Sequence, residues 1–280
     1  MKLRDGNIVI SGASSGIGAA LAAQLAGKAK TLVLVARRKD RLEALAKRLS
    51  AAHPRLKVMV LAKDMTIATQ LSEMMSELRQ EQVAIDILIN NAGVGDECYF
   101  HESDLTKLHK IIDLNVKSVV SLTHLVLQQM MGAPKGKGLV FIGSGAGIAW
   151  MPGSAVYSAS KHFISAFAMN VQSELKPYGV ETVLVTPGPV DSEFDKNAGI
   201  EGGMKGGPSQ NTRISSEQCA ADIIRQLDKG KTVIFPGRKL RRLMKLYINL
   251  PWAMRKRLLL SDGKKLYRQK LEINASTGNP

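Results

Sequence analysis

The stretch AVYSASKHF, residues 155–163, sets a phenol and an ammonium four positions apart, Tyr157 and Lys161. On a helix, positions i and i+4 share a face, so both groups can act on one substrate. A phenol of ordinary pKa near 10 is a poor base at neutral pH, and an adjacent cation favours its phenolate. The pair fits either a proton donor with its electrostatic partner or two unrelated surface groups. A helix is expected here because small and apolar residues run through SAVYSASKHFISAFAMNVQSELKP and Pro177 stands near its end.

A second feature lies in SGASSGIGAALAAQLA, where Gly12, Gly16 and Gly18 fall at the turn into an Ala/Leu-rich segment with the spacing GxxxGxG. Missing side chains let a pyrophosphate approach the backbone, and a helix N-terminus offers N–H groups and a positive dipole end. A tight turn with close helix packing accounts for the same glycines. In LVLVARRKD, Arg37 and Arg38 stand where an NAD site would carry an acid for the ribose 2′-hydroxyl. Arginine there suits the 2′-phosphate of NADP.

The elements that must position these groups alternate regularly. Strands are expected at residues 7–11, 31–36, 56–62, 86–90, 138–143, 180–186 and 231–235. Between them run segments of helical period, such as RLEALAKRLSAA with leucines at 42, 45 and 49, and LSEMMSELRQ. Such alternation implies a seven-stranded parallel sheet with helices on both faces. No boundary precedes about residue 236, so residues 1–236 are expected to form one domain and 237–280 an extension. Residues 191–213 hold five glycines without apolar period and are long for a connection, which suits a lid or a floppy insertion.

SGASSGIG, NNAG at residues 90–93, DLNV around Asn115, IGSGAG around Ser144, YSASK at 157–161 and PGPV from Pro187 together resemble the short-chain dehydrogenase/reductase family, in family order over about the first 235 residues. The resemblance implies a doubly wound Rossmann fold and NADP(H). It implies that Tyr157 donates a proton to a carbonyl oxygen, that Ser144 hydrogen-bonds the same oxygen, that Lys161 also bonds the nicotinamide ribose, and that Asn115 holds a water relay to the lysine. Ser14, Ser15 and Ile17 would belong to the phosphate turn; Asn91, Ala92 and Gly93 would lie beside the cofactor, and Pro187, Gly188 and Val190 near the nicotinamide. Asp64 resembles an adenine-contacting aspartate, although a helix N-cap would use the same residue. The expected reaction interconverts a ketone and a secondary alcohol, on an apolar substrate of steroid or long-chain 3-keto lipid type. GIAWMPG, with Ile148, Trp150 and Met151 near the catalytic face, points the same way. The alternative is a catalytically silent dinucleotide sensor or scaffold at a membrane surface. Such a protein should lack one of Ser144, Tyr157 and Lys161, and all three are present. Related enzymes often pair through the helices after the fourth and fifth strands, so a homo-oligomer is among the expected states.

A chain of 280 residues buries about 75% of its unfolded surface without staples. Cys98 and Cys219 match no zinc or redox spacing, which suits a reducing, cytoplasmic setting, and the five histidines form no metal set. The N-terminal sequence has neither a signal-peptide core nor a membrane span. Net charge is +15, of which residues 237–270 supply most, with twelve Lys or Arg against Asp262 alone. Apolar residues 240, 243, 244, 247 and 248 make one helical stripe there, and Trp252 follows Pro251. Contact with a membrane surface through residues 238–260 is placed first, packing on the protein's own core or a second subunit next, and nucleic acid last.

Overall fold

The computed structural model describes residues 1, 3–132, 136–198 and 210–277. Strands β1 (Asn7–Ser11), β2 (Thr31–Ala36), β3 (Lys57–Ala62), β4 (Ile87–Asn90), β5 (Gly138–Ile142) and β6 (Glu181–Val185) alternate with helices α1 (Gly16–Leu25), α2 (Lys39–Ala52), α3 (Ala68–Gln80), α4 (Leu105–Ile112), α5 (Ser118–Met130) and α6 (Ala155–Leu175). Then come β7 (Val190–Asp191), α7 (Glu193–Asn197), β8 (Ile214–Ser215), α8 (Ser216–Leu227), β9 (Val233–Ile234), α9 (Arg238–Ile248) and α10 (Trp252–Thr277). Seven strands form one sheet in the order β3-β2-β1-β4-β5-β6-β9, every pair parallel. The chain reverses direction across the sheet between β1 and β4. In open α/β sheets that switch point is where ligands bind, at the carboxyl ends of the strands.

The strands read as apolar runs because both faces are covered. Ile8, Ile10, Leu32 and Leu34 point to the side of α1, α2 and α8, where Leu21, Leu25, Leu42, Leu45, Leu49, Ile223 and Leu227 close one core. Val9, Val33, Val35 and Leu88 point to the other side, against Met74, Leu78, Leu122, Val126, Ile164 and Val171 of α3, α5 and α6. The predicted strands all form, with ends trimmed by a residue or two. The last shrinks most, because only Val233 and Ile234 find partners on β6.

At the two ends of residues 191–213, β7 pairs with β8, and between them α7 starts on the side-chain cap of Ser192, whose Oγ accepts from Phe194 N. Residues 199–209 of this expected loop lie outside the described residues.

The ranking for the basic segment needs correction at its start. Leu240 and Met244 of α9 are buried with Phe235, and Ile148, Val233 and Leu243 pack around them. The stripe covers the sheet's short last strand, whose apolar edge would otherwise face water. Asp222, buried in α8, locks the join: its carboxylate accepts from Arg241 Nη2 (2.8 Å), from Gly237 N (2.8 Å) and from Arg225. Farther on, Trp252 meets Trp150 edge to face at 4.9 Å, and the Arg255 guanidinium lies 5.9 Å from the Trp150 ring centre. Leu246, Ile248, Trp252, Met254, Leu258 and Leu260 remain exposed. Among the described residues no helix is long and apolar enough to cross a membrane.

Candidate active site

The first strand ends on a turn in which Gly12 takes φ +68°. A Cβ on Gly12 would stand 2.8 Å from the Ala92 backbone and 2.9 Å from Asn91 Nδ2, and one on Gly18 would run into the Gly12 carbonyl. The motif glycines therefore let β1, α1 and the NNAG segment close on one another, with a positive φ that non-glycine residues rarely adopt. Asn91 fastens the two strand ends, its Nδ2 donating to Ser11 O (3.0 Å) and Gly12 O (3.2 Å). Ser11 Oγ in turn accepts from the Asn91 and Ala92 amides. This bare, N–H-rich cradle at a helix N-terminus is the shape a dinucleotide pyrophosphate requires.

Across that cradle lies Arg38, which donates to Ser14 Oγ (Nη2, 3.1 Å) and Ser15 Oγ (2.7 Å). Arg37 points away; it is 71% exposed and meets Asp64 only at 3.8 Å. Asp64 does not cap α3, whose N-cap position is Ile67. It caps its own turn instead, accepting from Thr66 N and Oγ1. Partial burial would raise this carboxyl, yet the Thr66 donors and Arg37 leave it below its ordinary value. Ile17 packs against the core.

On the other side of the switch point, α6 carries Tyr157 and Lys161 as the spacing predicts. Lys161 Nζ donates to Ile142 O (3.1 Å) at the end of β5 and lies 5.9 Å from the Tyr157 ring centre. Ser144 follows β5, caps a short 3-10 turn by accepting from Ala146 N (3.1 Å), and its hydroxyl hydrogen-bonds the Tyr157 phenol. Asn115 sits in a π-helical turn, Asp113–Lys117, of a kind often found at functional sites. Its amide clamps Val94, accepting from N (2.9 Å) and donating to O (2.8 Å), and also donates to Ser160 Oγ (3.0 Å). A Cβ on Gly93 would come within 3.2 Å of Asn115 Oδ1 and 3.3 Å of Lys161 Nζ. Pro187 O accepts from Gly145 N (2.7 Å), and Gly188 packs against Leu240 of α9. Val190 is buried in β7.

Electrostatics departs from the simple expectation of a lysine-stabilised phenolate. Burial pushes the Tyr157 phenol up to about 12, the Asp195 charge adds to this, and the Ser144 hydrogen bond only partly opposes it. Burial lowers Lys161 to about 8. Burial is the largest cause at both groups because it disfavours the charged form of each. Tyr157 is therefore protonated at neutral pH and can give a proton to an oxygen placed beside Ser144.

The sequence pattern of the short chain dehydrogenases matches residues 6–201. The chain belongs to the short-chain dehydrogenase family. Its relatives include sulfoacetaldehyde reductase 2 of Chromohalobacter salexigens, 35% identical over 67% of this chain and 73% of the relative. Another is dehydrogenase/reductase SDR family member 7 of Mus musculus, 37% identical over 78% of this chain and 66% of the relative. A short-chain dehydrogenase from Sphingobium yanoikuyae, solved in complex with NADPH, superposes with a TM-score of 0.75 at 29% identity over 96% of each chain.

This short-chain dehydrogenase has site neighbours that sequence reasoning missed. Phe194 lies 5.5 Å from the Tyr157 ring, centre to centre, and a Cβ on Gly95 would collide with it. Glu193 binds Arg38 and Arg41. Only Arg41, four residues past Arg37 on a predicted helix, left a signal in the sequence. Among the described residues no cluster of His, Cys, Asp and Glu could hold a metal, and Cys98 and Cys219 are unpaired thiols.

Proposed function

We propose that this short-chain oxidoreductase interconverts a ketone and a secondary alcohol with NADP(H), on an apolar substrate. The observation that carries the reading is the grouping of Ser144, Tyr157 and Lys161 at the switch point, with a phenol that keeps its proton at neutral pH. Gly12, Ser14, Ser15, Gly16, Ile17 and Gly18 would hold the pyrophosphate, Arg38 the 2′-phosphate with Arg37 flanking, Asp64 the adenine side, and Asn91, Ala92, Gly93, Pro187, Gly188 and Val190 the nicotinamide side. A bound nicotinamide would supply hydride to the carbonyl carbon. Tyr157 gives its proton to the carbonyl oxygen as charge develops there. Ser144 donates a hydrogen bond to the same oxygen. Lys161, cationic at neutral pH and anchored on Ile142 O, would favour the phenolate left behind and bond the ribose; Asn115, across Gly93 from Lys161, braces the wall and would hold the water relay.

The apolar reading rests on Phe194 over Tyr157 and on Met151, exposed at the loop before α6. Ile148 and Trp150, expected near the substrate, instead pack on the C-terminal helices. The fold is also similar to that of a bulky-bulky ketone specific alcohol dehydrogenase from Comamonas testosteroni, 27% identical with a TM-score of 0.70, which favours a large substrate here too.

Residues 1–236 act as the catalytic domain and 237–280 as a docked extension. The exposed surface of the extension joins Trp252, Met254, Leu258 and Leu260 to Lys256 and Arg257, and a cleft of about 480 Å³ opens between Pro152 and Leu259, Leu260 and Tyr267. Basic and apolar groups together suit an anionic lipid surface. Sedimentation with phosphatidylserine vesicles that survives Trp252→Glu with Leu260→Glu would refute this contact. Exposed Val120, Phe163 and Met169 on α5 and α6 suit pairing of two copies, measurable by light scattering.

NADPH oxidation should be followed against ketones of increasing apolar length in mixed micelles, with Tyr157→Phe as control. Turnover rising with length and lost in the variant supports the reading. Tight NADPH binding without turnover in either direction would instead mark a dinucleotide sensor.

A further inference from the structure

The arginine assigned to the cofactor's 2′-phosphate, Arg38, already holds an anion from its own chain, together with Arg41. Arg38 Nη1 donates to Glu193 Oε2 at 2.7 Å, and Arg41 Nη1 donates to Oε1 at 2.6 Å and Oε2 at 2.7 Å. The other branch of Arg38 spans the hydroxyls of Ser14 and Ser15. Guanidinium forks accept carboxylate and phosphate with the same geometry. Two arginines on one anion, one of them braced by two serine hydroxyls at the rim of a pyrophosphate cradle, form a recognition set for a phosphomonoester, and Glu193 occupies both guanidinium groups. Hydrogen bonds from Arg41 and Arg38 hold this carboxyl down to about 2, so it stays anionic at any working pH.

Glu193 is also the first residue of α7, and the next, Phe194, covers Tyr157. The arginine contact thus fixes one end of the helix that roofs the catalytic phenol. Its other ties are the ion pair of Asp195 with Arg213 (2.7 Å) and the bond from Glu97 N to Ala198 O (3.0 Å). These would keep α7 hinged after Glu193 lets go.

We propose that Glu193 competes internally with the 2′-phosphate for Arg38, and that their exchange frees the N-terminal end of α7 over Tyr157. The inference rests on the NADP(H) reading above. A phosphorylated cofactor displaces the carboxylate and loosens the roof; an unphosphorylated one leaves Glu193 in place. Glu193 thereby limits affinity for the preferred cofactor while making access to Tyr157 depend on which cofactor is bound.

The test is calorimetric titration of the full chain with 2′,5′-ADP and with 5′-AMP, in wild type and Glu193→Gln, repeated with Glu193→Ala. Removing an exposed competing ion pair should tighten 2′,5′-ADP binding roughly two- to fivefold and leave 5′-AMP unchanged. Unchanged or weaker 2′,5′-ADP binding in both variants would overturn the inference. A wild-type protein that binds the two nucleotides equally would overturn the NADP(H) reading beneath it. In hydrogen exchange, the amides of residues 194–197 should exchange faster in wild type with 2′,5′-ADP than with 5′-AMP; equal rates would overturn the coupling to α7.

Discussion

Replacing Lys161 by Met removes an ammonium that the fold holds away from water, at a position 5% exposed. Burial brings that group from its ordinary 10.5 to about 8. Because the folded-state value lies below the unfolded one, the unfolded chain binds more protons between pH 8 and 10.5, and wild-type stability rises with pH across that window. The burden on the fold is full below pH 8 and gone above 10.5. At about 1.4 kcal/mol per pKa unit it amounts to about 3 kcal/mol. Met keeps the stem's packing but leaves Ile142 O without its lysine donor, a loss of about 1 kcal/mol. The variant should therefore be more stable than wild type by about 2 kcal/mol at pH 7 and nearly equal to it at pH 10, while losing turnover. Urea midpoints from pH 6.5 to 10 measure this as a difference between the two proteins, in which the ionisation of Tyr157, common to both, cancels. A variant less stable than wild type at pH 7, or a difference constant with pH, would refute the argument.

Other substitutions follow from single contacts. Tyr157→Phe should lower ketone reduction by about 10²- to 10⁴-fold and Ser144→Ala by about 10²-fold or more, with NADPH affinity by fluorescence titration within a factor of two of wild type. Arg38→Ala should weaken NADPH relative to NADH more than Arg37→Asp does, because only Arg38 lies across the phosphate turn; competition titrations of both variants give the ratio. Gly18→Ala should weaken every dinucleotide and lower the melting temperature, since its methyl would stand 2.5 Å from Asn91 Nδ2. Asp222→Ala strands Arg241 and frees Gly237 N, which should destabilise the chain by about 3 kcal/mol in urea unfolding.

The sheet was legible because buried parallel strands are written as apolar runs, and each predicted strand is present. Tyr157 and Lys161 were legible from their four-residue spacing, whereas Ser144 and Asn115 came only through the resemblance of their motifs to the family's. The contacts of Glu193 and Phe194 were not, since both lie in a glycine-rich connection where no period marks which face turns inward. The assignment of Arg37 and Arg38 was only half readable: two adjacent cations look alike in sequence, and only the turn geometry sends one over Ser14 and Ser15. The basic segment misled in its first turns for a similar reason. An amphipathic stripe states that something apolar covers it, and here β9 and Phe235 do so for Leu240 and Met244.

The grip of Trp252 and Arg255 on Trp150 bears on how such chains can be recombined. Trp150 precedes Tyr157 by seven residues on the loop that launches α6, so the extension and the catalytic helix share a footing. This extension grafted onto another chain would arrive without Trp150 to grip, and without the glycine that Leu240 packs against at position 188. The exchangeable unit is therefore discontinuous: residues 148–152, Gly188 and everything after Gly237 must travel together.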